Sequence, residues 1–125
     1  MSTIKSFTDL YAWQKGHDLV KQTYITTAGF PTEEKFGLAS QLRRCAISIT
    51  SNISEGFGRS SAKDKKRFYE MALSSVYELQ NQVIIARDLK YITKENFNEL
   101  DSLAVETSKL VNSIRKGAPT LDSKF

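Results

Sequence analysis

Four long stretches of this chain repeat apolar residues at alternating spacings of three and four, the period of an α-helix buried along one face. In the first, from about Thr8 to Ala28, Leu10, Trp13, His17, Val20 and Tyr24 fall in line, and Leu19 widens the stripe. Beyond Pro31, Leu38, Leu42, Cys45, Ile49, Asn52 and Ile53 trace a second face. Phe68, Ala72, Ser75, Leu79, Val83 and Ala86 form a third, broadened by Leu73 and Val76. Phe97, Leu100, Ala104, Thr107, Val111 and Ile114 form the fourth, flanked by Leu103 and Leu110. No alternating strand pattern is sustained, and no Asn-Gly or Asp-Gly hairpin pair appears. With 125 residues there is room for one domain. The expectation is an all-α fold, an antiparallel up-down-up-down four-helix bundle over residues 1–117, with 118–125 as a flexible C-terminal tail. A three-helix fold with one kinked helix is the alternative.

The punctuation agrees with four helices. Ser6 or Thr8 with Asp9 suits the first helix start, and Gly29-Phe30-Pro31 ends it. Gly16 lies inside that helix, where a close approach by a neighbour would explain it. Thr32 reads as the second N-cap, with Glu33 and Glu34 behind it, and the helix should stop near Gly56 in a left-handed turn. Ser60 or Ser61 caps the third, with Asp64 at the third helical position if Ser61 is the cap. Thr93 opens the fourth, and Arg115 and Lys116 suit its negative end before Gly117 and Pro119. Phe36, Ile47, Tyr69, Tyr77, Ile84 and Ile85 fall off the main stripes, more apolar surface than one bundle needs.

The residue inventory excludes much chemistry. Cys45 is the sole cysteine, so no intrachain disulfide forms, and a reducing compartment is expected. His17 is the sole histidine, and Gln14 stands where a Glu-x-x-His metal pair needs its carboxylate. No Cys/His set suits zinc, so no metal and no cofactor are expected. Gly56-Phe57-Gly58 lacks the strand and the Gly-Lys-Ser/Thr ending of a phosphate loop. His17 reads as an interior-facing packed residue beside Trp13, Val20 and Tyr24, and Cys45 as inert core. Nothing in their spacing selects Glu55 and Glu78 as an acid and base pair. No apolar run spans a membrane and no signal-peptide core opens the chain, which points to a soluble cytoplasmic protein.

Charge supplies the one positive signal. The formal net charge is +4, and the excess of base over acid lies in the first half of the chain. From Arg59 to Arg67, the cations Arg59, Lys63, Lys65, Lys66 and Arg67 accompany one acid, Asp64. Arg43 and Arg44 join them if antiparallel packing of the second and third helices presents all seven on one face. Such a stripe attracts phosphates, although a solvated helix start would carry similar residues. The segment from Ser48 to Arg59 is rich in hydroxyls, with Asn52 and Glu55 placed to tie the helix end to a neighbour. A structural cap built on Gly56 and Gly58 accounts for it more simply than a pocket does.

Four ordered blocks carry a family resemblance. They are Phe7-x-Asp9-Leu10-x-x-Trp13-Gln14-Lys15; Phe30-Pro31-x-x-Glu34-x-Phe36-Gly37-Leu38-x-x-Gln41-Leu42-Arg43-Arg44; Ser48-Ile49-x-x-Asn52-Ile53-x-Glu55-Gly56-x-Gly58-Arg59; and Phe68-x-x-x-Ala72-x-x-Ser75-x-x-Glu78-Leu79. From about Phe7 to Lys116 the chain resembles the bacterial four-helix bundle proteins encoded in intervening sequences of 23S ribosomal RNA genes. The resemblance implies a homopentamer, no catalytic activity, and Asn52, Glu55, Gly56 and Gly58 as structural motif residues. A related branch, the accessory variability protein of diversity-generating retroelements, binds nucleic acid through a basic surface and binds a reverse transcriptase. The implied partners are therefore other copies of the chain, RNA or DNA, and a reverse transcriptase or another protein, with no membrane. The chain departs from the pattern at Cys45, where Ala is commoner, and at Thr50, where Pro is common. The reading is a non-enzymatic, oligomeric bundle that meets nucleic acid through Arg43, Arg44, Arg59, Lys63, Lys65, Lys66 and Arg67, or else a structural adaptor for another protein.

Overall fold

The computed structural model describes residues 4–117; the expected tail, 118–125, lies outside them. Four helices run α1 (Tyr11–Thr27), α2 (Leu38–Phe57), α3 (Ala62–Asp88) and α4 (Lys94–Lys116), with 3-10 turns at Phe7–Asp9 and Thr32–Glu34 and no strand among the described residues. The 27 residues of α3 extend about 40 Å at the usual helical rise. Each helix packs on two others: α1 on α2 and α4, and α3 on α2 and α4. Cys45 of α2 meets Ser75 of α3, while Gly56, further along α2, meets Tyr69, earlier on α3, so this pair is antiparallel. Thr27 with Arg43, and Glu70 with Arg115, fix the same sense for α1–α2 and α3–α4. The result is an up-down-up-down four-helix bundle, not a kinked three-helix fold.

The stripes of α2, α3 and α4 form the core as their spacing predicts. Leu42, Cys45, Ile49, Ile53, Ala72, Leu79, Leu100, Ala104, Val111 and Ile114 are all buried. The face of α1 is different. Its buried residues are Ala12, Gly16, Leu19, Thr23, Thr26 and Thr27, whereas Tyr24 and His17 are exposed and Trp13 and Val20 half-buried. Small residues occupy the seam because α2 comes close there: a Cβ on Gly16 would sit 3.1 Å from Thr50 Cγ2. The threonines can be buried because Thr23 Oγ1 donates to Leu19 O and Thr27 Oγ1 to Thr23 O, each at 2.7 Å. His17 is thus not an interior residue. Its ring stacks on Trp13 at the surface, 4.7 Å between centroids.

Three other boundaries are refined. The helix expected directly after Pro31 starts at Leu38, because Thr32–Glu34 forms a separate 3-10 turn and Thr32 makes no side-chain cap. Glu34 does the capping: Oε1 accepts from Leu38 N at 3.1 Å, and Oε2 accepts from Tyr91 Oη at 3.0 Å. Gly37 leaves space for it, since a Cβ there would fall 2.5 Å from Glu34 Oε1. At the far end α2 runs through Gly56 to Phe57, and no described glycine has positive φ. The left-handed turn occurs instead at Lys90, φ 63°, after α3. There Lys90 N donates to Arg87 O and Tyr91 N to Ala86 O, the paired bonds of a Schellman ending. Ser61 Oγ accepts from Asp64 N and Thr93 Oγ1 from Asn96 N, as expected of the two N-caps.

Candidate nucleic-acid interface

The seven candidate cations do not form one patch. Arg43 and Arg44 lie near the start of α2, about 23 Å by helical rise from Arg59. Arg43 turns toward α1: its Nε donates to Thr27 Oγ1 at 2.8 Å and its guanidinium covers the Tyr24 ring at 4.6 Å. Arg44 is exposed and shares a stripe with Ser48 and Asn52 at spacings of four. That stripe borders an open groove between α2 and α3, lined by Ser48, Asn52, Arg67, Met71, Ser74 and the acid Glu70, among others.

The other five gather where α2 hands over to α3, and they are not equivalent. Lys65 is a structural residue. Its Nζ donates to Phe57 O at 2.6 Å and to Gly56 O at 3.4 Å, satisfying the last carbonyls of α2, and burial lowers its pKa below the usual lysine value. Arg59 and Arg67 lie over the Phe68 ring, 4.4 and 4.8 Å from its centroid, and Arg59 also pairs with Glu55 at 3.4 Å. Lys63 and Lys66 are exposed and have no ion pair among the described residues. The positive end of the α3 dipole points into this cluster, which reinforces its field.

The polar motif around Asn52 acts mainly within its own helix. Asn52 Nδ2 donates to Ser48 O at 2.9 Å, and Glu55 pairs with Arg59, so neither ties α2 to a neighbour as expected. Ser48 makes that link, through Ser75 Oγ at 3.0 Å. Gly56 is buried, and a Cβ would come within 2.7 Å of Tyr69 Cε1; Gly58 is exposed and has ordinary space. Tyr69, read as surplus surface, is the plug that Gly56 admits, 1% exposed at the end of the core.

Two cations outside the candidate set belong to this end of the molecule. Arg115 and Lys116, read as partners of the α4 dipole, line a cavity with Lys65, Lys66 and Tyr69. Their helix packs antiparallel on α3, which sets its last turn beside the first turns of α3.

The sequence matches the family model of the 23S rRNA-intervening sequence proteins over residues 8–113. The chain belongs to that family. A solved structure with the same fold is a protein of unknown function from the S23 ribosomal protein family of Bacteroides thetaiotaomicron. It is 24% identical, with a TM-score of 0.80, and the match covers 88% of this chain and 99% of that one. At this identity the likeness speaks for the fold alone. Neither name denotes an enzyme, and no curated protein matches the sequence. Among the described residues no group of three or more His, Cys, Asp or Glu side chains is placed to hold a metal ion, and no helix is long and apolar enough to cross a membrane.

Proposed function

We propose that this family member is a non-enzymatic cytoplasmic protein that assembles with copies of itself, as a homopentamer, and binds RNA or DNA through the α2–α3 end. The observation that carries the reading is the group Lys63, Lys66 and Arg67 on the first turns of a long helix, exposed, with Asp64 as the one acid among them. Such a group gains affinity from counterions released by the phosphate backbone and carries little sequence preference. Arg59 extends it, Arg44 sits further along the α2–α3 groove, and Lys65 and Arg43 support the scaffold beneath.

A salt titration of binding to a mixed-sequence RNA and to a DNA duplex tests this. Affinity should fall steeply between about 50 and 200 mM salt, and a flat profile would sink the proposal. The variant Lys63→Glu/Lys66→Glu/Arg67→Glu should weaken binding to all sequences alike and leave the helical circular dichroism unchanged. Lys65 is omitted because its loss would uncap α2.

Protein adaptor function is the second reading, favoured by Ile47, Met71, Tyr77, Ile84, Ile85 and Leu89, which stand 40–58% exposed on α2, α3 and the residue that follows α3. The same surface serves either self-assembly or a partner such as a reverse transcriptase. Capture of a protein by monomeric bundle, with no nucleic acid retained, would favour the adaptor.

A further inference from the structure

We propose that the cavity between the first turns of α3 and the last turn of α4 is a binding site for a phosphate group, using Lys66, Arg115, Lys116 and the Tyr69 hydroxyl. The cavity measures about 130 Å³ and is lined by Ala62, Lys65, Lys66, Tyr69, Ile114, Arg115, Lys116 and Gly117. That is room for several waters, and so for one tetrahedral oxyanion. Four of the eight lining residues are cationic and none is acidic. Arg115 also pairs with Glu70 at 3.5 Å, outside the lining.

The second observation is Tyr69 itself. It is 1% exposed, and its hydroxyl has no hydrogen-bond partner among the described residues. A buried hydroxyl left unpaired is costly, so its position calls for a partner. The hydroxyl donates to an oxyanion with no loss of another bond. Burial raises the Tyr69 pKa to about 12, which keeps that proton in place across the physiological range. Two of the lining cations are already held in place. Lys65 is held by Phe57 O and Gly56 O, and Arg115 by Asn112 Oδ1 through Nε at 3.0 Å and through Nη2 at 2.8 Å. Fixed cations around a small cavity favour a compact dianion over an extended ligand. The site adjoins the proposed nucleic-acid surface at Lys66 but does not rest on it, because Tyr69, Arg115 and Lys116 take no part in that surface.

Thermal unfolding in inorganic phosphate, against chloride at equal ionic strength, tests the site. Phosphate should raise the midpoint of the wild-type protein by several degrees when it saturates. Tyr69→Phe should unfold no earlier than wild type in chloride, since it removes an unpaired hydroxyl, yet lose most of the phosphate increment. Lys116→Ala, at an exposed helix end, should do the same without altering the fold. A wild-type midpoint that does not distinguish phosphate from chloride, or variants that keep the full increment, would overturn the proposal. The source is read from one oligonucleotide with and without a 5′-phosphate. Binding about tenfold tighter with the phosphate supports a nucleic-acid end as the ligand. Equal binding alongside a phosphate-specific thermal shift supports free phosphate. Loss of oligonucleotide binding in Lys63→Glu/Arg67→Glu, which leaves every lining residue in place, with the thermal increment retained, separates this site from the general basic surface.

Discussion

Gly56 and Gly58 look alike in the sequence motif, yet only one is required by packing. A Cβ at Gly56 would enter the Tyr69 ring contact at 2.7 Å and the Phe68 Cβ at 3.0 Å, both atoms of a packed interior. Gly56→Ala should therefore lower stability by about 1–3 kcal/mol. At Gly58 the backbone is helical, φ −78°, and the nearest atom is 3.6 Å away. Gly58→Ala should be neutral or stabilise by up to about 1 kcal/mol, through the unfolded chain. Urea midpoints of the two variants check the contrast. Cys45 and Tyr69 set the alkaline behaviour. Burial, and then the negative charge of Glu78, raises the Cys45 thiol pKa from 9.0 to about 12, and burial raises Tyr69 from 10.0 to about 12. The unfolded chain therefore releases these protons first as pH rises, so stability is full below pH 9 and falls between pH 9 and 12. Urea midpoints across that window should decline, and the decline should be shallower in Cys45→Ala and in Tyr69→Phe. The native thiol should also resist a thiol reagent at pH 8 until urea is added.

At the scale of the element, the ends are held by different devices. Ser61 and Thr93 cap α3 and α4 with side-chain oxygens, Glu34 caps α2 from outside it, and Lys65 closes the C-terminal carbonyls of α2. The weak point is Lys90, which holds a left-handed φ of 63° with a side chain that prefers to avoid it. Lys90→Gly should raise stability by about 1 kcal/mol, seen as a higher urea midpoint with an unchanged slope. The N-caps of α3 and α4 were readable from hydroxyl and acid spacing. The α2 start was not, because its cap is an acid four residues upstream that needs Gly37 to make room. The buried face of α1 departs from its apolar period for a related reason. Large apolar residues dominate a periodicity argument, but where two helices approach closely the buried positions go to Ala12, Gly16 and threonines with internally bonded hydroxyls.

For the whole molecule, the four-sided packing leaves a set of apolar residues outside the core, among them Ile47 at 42%, Ile84 at 41% and Ile85 at 40% exposure. The proposed assembly predicts a light-scattering mass several times 14.1 kDa. It also predicts that Ile47→Lys with Ile85→Lys yields monomers of near-native stability, since exposed positions tolerate substitution within about 0.5 kcal/mol. A wild-type monomer at all concentrations would rule the assembly out. Charge shows how far the chain order can lead and where it stops. The run from Arg59 to Arg67 was visible as an electrostatic feature, but its division of labour was not. Only the packing separates Lys63 and Lys66, which face solvent, from Lys65, which caps α2, and brings Arg115 and Lys116 to the same end.

The sequence by itself determined four helices, their order, the core faces of α2, α3 and α4, and membership of the family. These follow from local preferences and from a hydrophobic period, which a single chain displays in one dimension. The tertiary structure decided which face of α1 is buried, that Gly56 exists to admit Tyr69, that Arg43 and Lys65 are scaffold, and that a cationic cavity forms between α3 and α4. Each of these depends on how closely two helices approach and at what register. That distance is set by the joint packing of both surfaces, and neither helix encodes it alone.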